Sequence, residues 1–246
     1  MPARLRPQAD TRVRLRRQPG DRSQGSWFVA AATVVAYAAF AATFRGPRSR
    51  FWQRMTKTGL ILGAAALVGD RSLRQQRPKP PDLALAGAIA AGLYGVFLVG
   101  DRAARVVMPQ GAQDIGDIYQ LRQLRPAPEL ALRLVLVLAP AEELFWRGLL
   151  QRQLSRRFGR SGGAAAATAL YGGAHLCTGN PTLVGAATMA GAGWSGLAAA
   201  GVPMPALIAS HMIWDVWIFL VQPTESSGGW ASVSQERPGG SFQAAR

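Results

Sequence analysis

From Ser161 to Trp214 the chain runs for 54 residues without one Asp, Glu, Lys or Arg. A water-soluble helix needs a polar face, so a soluble domain cannot leave a stretch of this length uncharged. A helix that crosses the hydrocarbon core needs about 20 apolar residues. The run therefore holds about three spans, broken at 177–182 (CTGNPT) and 200–205 (AGVPMP). Across all 246 residues the same reading gives apolar segments at 27–44, 55–69, 83–100, 129–150, 163–177, 183–200 and 203–221. The expected fold is all-α, a polytopic transmembrane helix bundle of about seven spans with its site inside the bundle. The weakest span is 55–69, where Arg54 and Lys57 must snorkel to water. An eighth span within 101–127 stays open, although that segment is polar for one.

Charge sets the orientation. The chain carries a formal net charge of +15, and seven of its arginines fall in residues 1–26. That basic tail has no aromatic residue on which a base could stack, which argues against nucleic acid as the partner. Arginine-rich flanks fit the positive-inside rule. An N-terminus in the cytoplasm places 1–26, 70–82 and 151–161 inside with 15 Lys/Arg, against nine in 45–57 and 101–127. Arg16 and Arg17 precede an apolar run with Ala39-Phe40-Ala41, in the manner of an export signal. The run is followed at once by more basic residues and opens a multispanning chain, so it reads as an uncleaved anchor. The single cysteine, Cys177, excludes a disulfide framework and a multi-cysteine zinc site. The polar, Gly/Ser-rich stretch 222–246 is expected to be disordered. The small residues of 163–200 point to closely packed helices.

An ionisable group inside a membrane costs about 2.5–3.5 kcal/mol on insertion scales, so each one needs a reason. Outside the 151–161 loop, the segment 134–220 holds six: Glu142, Glu143, Arg147, His175, His211 and Asp215, including both histidines of the chain. Glu143 and Arg147 are i and i+4, share a helix face and can pair. Glu142 falls about 100° round the helix and has no local partner. A carboxylate in a dry setting gains the basicity that a general base near neutral pH needs. His211 and Asp215 are again i and i+4, as are Tyr171 and His175. Three helices can thus aim polar groups at one interior point. Each pair taken alone is also what a structural ion pair or packing histidine would give. Glu129 suits a helix N-terminus, Arg133 reads as snorkelling, and Trp146, Trp194, Trp214 and Trp217 read as packing or interface residues.

The motifs EELFWR (142–147), YGGAH (171–175) and HMIWD (211–215) stand in order on successive apolar helices. They resemble the CPBP family, the type II CAAX prenyl endopeptidases and their bacterial Abi relatives, over about residues 128–221. Residues 1–26 then form an Arg-rich tail, 27–127 the N-terminal helices and loops, 128–221 the family-like helical core and 222–246 a polar tail. The resemblance implies an intramembrane protease of glutamate type with no cofactor. In it Glu142 with His175 activates a water, Glu143 and Arg147 shape the site, and His211 and Asp215 stabilise the oxyanion. Two positions depart from the usual pattern. Tyr171 stands where Phe is commoner and adds a hydroxyl. Asp215 stands where Asn is frequent; ionised, it cannot donate, so it is expected to orient His211.

The expected partners are the lipid bilayer and a peptide or protein substrate that is membrane-associated or carries a prenyl-type or C-terminal sorting sequence. The Ala/Gly/Arg-rich composition suits a bacterial inner membrane. Three rivals stay open at this point. Two histidines and a glutamate could hold zinc with a position left for water. The polar cluster could serve packing in a non-catalytic immunity or scaffold protein. A small transporter could use the acids as a proton relay, although the chain has no second, symmetry-related cluster.

Overall fold

The computed structural model describes residues 19–107 and 111–222, with side chains described for most of these. Most of the Arg-rich tail and nearly all of 222–246 lie outside the described residues, so the expectation of a disordered C-terminus does too. Among the described residues the regular structure is helical throughout, without a strand. Helix α1 spans Pro19–Phe44, α2 Phe51–Gly69, α3 Pro80–Val107, α4 Gly111–Tyr119 and α5 Ala127–Arg133. Then follow α6 (Ala139–Glu142), α7 (Arg152–Ala174), α8 (Pro181–Ala200) and α9 (Met204–Val216).

All seven predicted spans are helical. Four stretches, Ser26–Phe44, Pro80–Ala103, Pro181–Ala200 and Met204–Val221, are long and apolar enough to cross a membrane by themselves. The segments 55–69, 129–150 and 163–177 fall short of that standard; the last two carry the motif charges or a string of small residues. The protein is an all-α membrane helix bundle. Its surface agrees: Val34, Leu60, Leu83, Val99 and Leu136 point outward, while Glu143 and Arg147 are among its most buried side chains. A soluble protein does the reverse. Among the described residues segment 101–127 contributes the short helix α4, whose Ile115 and Tyr119 are buried in a cluster with residues of α3 and α8.

The helix that bears the first motif is wound in an unusual way. Between α5 and α6 the residues Leu134–Leu138 form a π-helix, and Glu143–Gln151 form a second that runs on into α7. Pro140 brings no N–H to the ladder, and just before it the Ala139 N–H reaches back five residues to the Leu134 carbonyl. Such wide turns inside α-helices mark functional segments. Gly159 then breaks α7 with φ +73° and ψ 173°, a backbone that a Cβ would strain. What is one element by hydrogen bonding is thus two helices, 152–158 and 160–174.

Three buried clusters form the core. One joins α1, α2 and the second π-helix through Phe40, Leu62, Phe145, Trp146 and Tyr171. Another joins α3, α4, α8 and α9 through Leu93, Phe97, Trp194 and Leu207. The third packs Phe51 and Trp52 on Leu130, Leu134 and Leu138. The first two share Leu144, which packs against both.

Candidate active site

Glu143 is fully buried, and its Oε1 accepts from two donors. Arg147 Nη1 donates from one turn away at 2.9 Å, as the spacing predicts. His211 Nδ1 donates from α9 at 2.8 Å. The imidazole's other nitrogen, Nε2, lies 3.4 Å from Asp215 Oδ1, also i, i+4 on its own helix. Arg147, Glu143, His211 and Asp215 therefore form one chain of charged groups. The ring is thus held from both sides, with the shorter contact to Glu143 and the longer to Asp215.

Two aromatic rings clamp this chain. The Arg147 guanidinium stands 4.8 Å from the Tyr171 ring centroid and 5.6 Å from that of Trp194, a cation–π arrangement strengthened by desolvation. Its Nη2 donates to the Gly191 carbonyl at 3.3 Å. Trp194 also stacks on His211, with centroids 4.0 Å apart and planes 22° from parallel. Trp194 itself is held by its indole N–H on Ser210 Oγ at 3.0 Å, and that hydroxyl donates to the Leu207 carbonyl. Close packing makes room for this. A Cβ on Gly191 would sit 2.8 Å from Tyr171 Cδ1, and one on Gly172 would overlap Thr188 Oγ1.

Glu142, which the sequence leaves without a local mate, finds one 29 residues away. The Tyr171 hydroxyl donates to its Oε2 at 2.8 Å. Among the described residues Oε1 has no hydrogen-bond partner, although the side chain is only 6% exposed. His175 sits one turn after Tyr171 and is 7% exposed. Its Nδ1 lies 2.9 Å from the Tyr171 carbonyl. A carbonyl can only accept, so Nδ1 carries the proton and Nε2 the lone pair. Glu142 and His175 are not hydrogen-bonded to each other; Tyr171 links them, hydroxyl to one and carbonyl to the other. The His175 ring packs edge-on to Phe40 at 5.2 Å and near Phe44 at 6.1 Å.

The structure thus brings the six sequence candidates together around Tyr171 and Trp194. Trp146 is fully buried against Phe40 and Tyr171, as a packing residue should be, whereas Trp194 is more than packing. Its contact with His211 left no signal in the sequence, because 17 residues and a turn separate them. Gln151 was also missed: it is 3% exposed and donates to the Ser195 carbonyl at 2.8 Å. Arg133 does not merely snorkel, since it pairs with Glu129 at 2.7 Å and donates to Thr56 Oγ1 at 2.6 Å. Cys177 donates to the Ala174 carbonyl and packs with the first cluster, with no sign of a site around it.

Comparison with known proteins now adds to the geometry. Residues 126–217 match the family model for type II CAAX prenyl endopeptidase, Rce1-like. This segment is similar to the CAAX protease family. The match begins one residue before α5 and ends just beyond Asp215, so it contains all six charged candidates and both clamping rings. The family is one of peptide hydrolases that work in membranes. With four apolar helices among the described residues long enough to span, the protein is read as an integral membrane protein whose matched segment is similar to a membrane endopeptidase. No curated protein and no solved structure matches the chain.

Proposed function

We propose that the protein is a glutamate-type intramembrane endopeptidase in which Glu142 is the general base. The observation that carries this reading is the state of its carboxylate: Oε2 is held by Tyr171, while Oε1 is unengaged beside a buried chain of charged groups. A water between Glu142 Oε1 and His175 Nε2 gives up a proton to Glu142 as its oxygen attacks the substrate carbonyl. The resulting oxyanion meets the Nε2–H of His211, the ring nitrogen less tightly held in the unliganded site. Glu142 then returns the proton to the departing amide nitrogen as the C–N bond breaks. Glu143 and Arg147 fix His211 and stabilise the developing negative charge.

The arrangement of the donors supports a metal-free reading over zinc. Both nitrogens of His211 face carboxylates, which leaves His175 Nε2 as the one free imidazole nitrogen of the cluster. Among the described residues no three of His, Cys, Asp and Glu are grouped to hold a metal ion. A metal-free mechanism predicts that activity survives chelation. The substrate on this reading carries a C-terminal sorting or prenyl-type sequence, and the setting is a bacterial inner membrane with a cytoplasmic N-terminus.

The test uses purified protein in lipid nanodiscs and a quenched fluorescent peptide ending in a farnesylated Cys-aliphatic-aliphatic-X sequence, with its unprenylated counterpart. Glu142→Gln and His175→Ala should each lower kcat at least about a hundredfold while the melting temperature stays near wild type. A folded Glu142→Gln protein that cleaves at the wild-type rate would sink the assignment. It would favour the scaffold reading, for which the clamped Arg147 would be a structural brace.

A further inference from the structure

A cavity of about 610 Å³ opens where the loop after α2, the start of α7 and the α8–α9 turn meet. Its volume lies in the range of small-ligand sites. Its polar wall holds four arginines, Arg147, Arg152, Arg156 and Arg160, against one acid, Asp70. That acid is already committed: Asp70 accepts from Arg152 and from the amide and hydroxyl of Ser72. Among the described residues Arg156 donates to the Gln153 side chain, at 3.3 Å. Among the described residues neither Arg156 nor Arg160 reaches a carboxylate. Arg160 belongs here because the chain turns at Gly159; its Nη2 lies 3.9 Å from where a Cβ on Gly201 would stand, beside the α8–α9 turn.

The inner wall adds an independent observation. Arg147 and Gln151 are 1% and 3% exposed and both line the cavity. Among the described residues the Arg147 Nε–H has no hydrogen-bond partner. A buried donor left unpaired is costly, and it calls for an acceptor. The opposite wall is apolar: Ala198, Ala199, Val202, Met204 and Leu207. Two of these residues fix the depth. Ala199 and Met204 lie at the end of one candidate span and the start of the next, so the cavity sits at the boundary between hydrocarbon and water.

From these observations we infer that the cavity binds the phosphate of an anionic lipid, with the acyl-linked part of the headgroup against Ala198–Leu207. Bilayer phosphates stand at this depth, and arginine suits them through bidentate hydrogen bonding. The positive-inside rule accounts for basic residues in this loop, but it does not account for a cavity with an unpaired buried donor at its base. The apolar wall is what selects a lipid over a free phosphate ion. The ligand would rest against the partner of Glu143, so lipid composition would reach the candidate site through Arg147.

The test is lipid retention by native mass spectrometry, with phosphatidylglycerol and phosphatidylcholine as probes and inorganic phosphate as the free-anion control. Arg156→Gln with Arg160→Gln should weaken phosphatidylglycerol binding about fivefold per arginine. Arg45→Gln with Lys57→Gln removes the same charge from a separate basic cleft between α1 and α2 and should leave binding near wild type. Three results would overturn the inference: unchanged binding in the first double variant, an equal loss in the second, or stabilisation by inorganic phosphate with no preference for phosphatidylglycerol. The measurement needs no turnover, so it is independent of the proposed protease chemistry.

Discussion

At the scale of single residues, Tyr171 connects more of the site than any other side chain. Its hydroxyl bonds Glu142, its carbonyl accepts from His175, and its ring lies against Arg147. A hydrogen bond to a charged group contributes about 1.5–3 kcal/mol. Tyr171→Phe keeps the ring and the carbonyl and removes only the bond to Glu142. On the glutamate reading it should cut kcat about tenfold or more with KM little changed, and it should displace the acidic limb of the kcat–pH profile. Steady-state kinetics on the fluorescent peptide across pH would check this; an unmoved profile would reduce Tyr171 to packing. The pairs Glu143–Arg147 and His211–Asp215 were legible in the sequence because helix periodicity alone sets them. The bonds Tyr171–Glu142 and His211–Glu143, and the stack of Trp194 on His211, were not. They depend on how α7, α8 and α9 are rotated about their own axes, which no local spacing encodes.

At the scale of elements, hydropathy located the helices well and misread what joins them. The long 101–127 connection hides α4 because a nine-residue helix with Asp114 and Asp117 looks polar in any window. Its buried Ile115 and Tyr119 tie it to the bundle, and Asn180, Thr182 and Arg48 donate to its Asp114 and Asp117. The loop after α2 is held by a different device. Asp70 caps the short 3-10 turn Arg71–Gln75 and pairs with Arg152 at 3.0 Å. Partial burial pushes its carboxyl up, but the Ser72 hydrogen bonds and the Arg152 charge outweigh that and hold it below the ordinary value of 3.8. The sign follows from linkage. A carboxyl lowered in the folded state adds stability above its unfolded value and loses it as pH falls through the folded one. Asp70→Asn should therefore melt below wild type at neutral pH, with the gap closing as pH drops below 3.8. Thermal melts of both proteins from neutral to acidic pH would show it. A gap that does not change with pH would mean that the Asp70–Arg152 tie is not ionic in origin.

At the scale of the whole molecule, the charge-free run from Ser161 to Trp214 decided the solvent before any motif was read. The bundle has the inverted surface that follows, apolar outward and ionic within. Orientation rests on a weaker signal, 15 basic residues against nine. The chain's one cysteine makes it testable, since Cys177→Ser gives a cysteine-free background. Single cysteines placed at 75 and 157 should be shielded from a membrane-impermeant maleimide added to intact cells, while one at 48 should be labelled. The reverse pattern would invert the topology and place the Arg-lined cavity on the outer face.

The pairing of charges also bears on how the chain is made. Glu143 and Arg147 are mates on a single turn, so their helix can enter the bilayer already neutralised, before anything after Gln151 has been synthesised. Glu142 has no such provision. Its partner, Tyr171, arrives only with the following helix, and the ring that stacks on His211 only with the one after that. During biogenesis the ion pair comes first, Glu142 gains its partner with the Tyr171 helix, and His211 and Asp215 complete the cluster last.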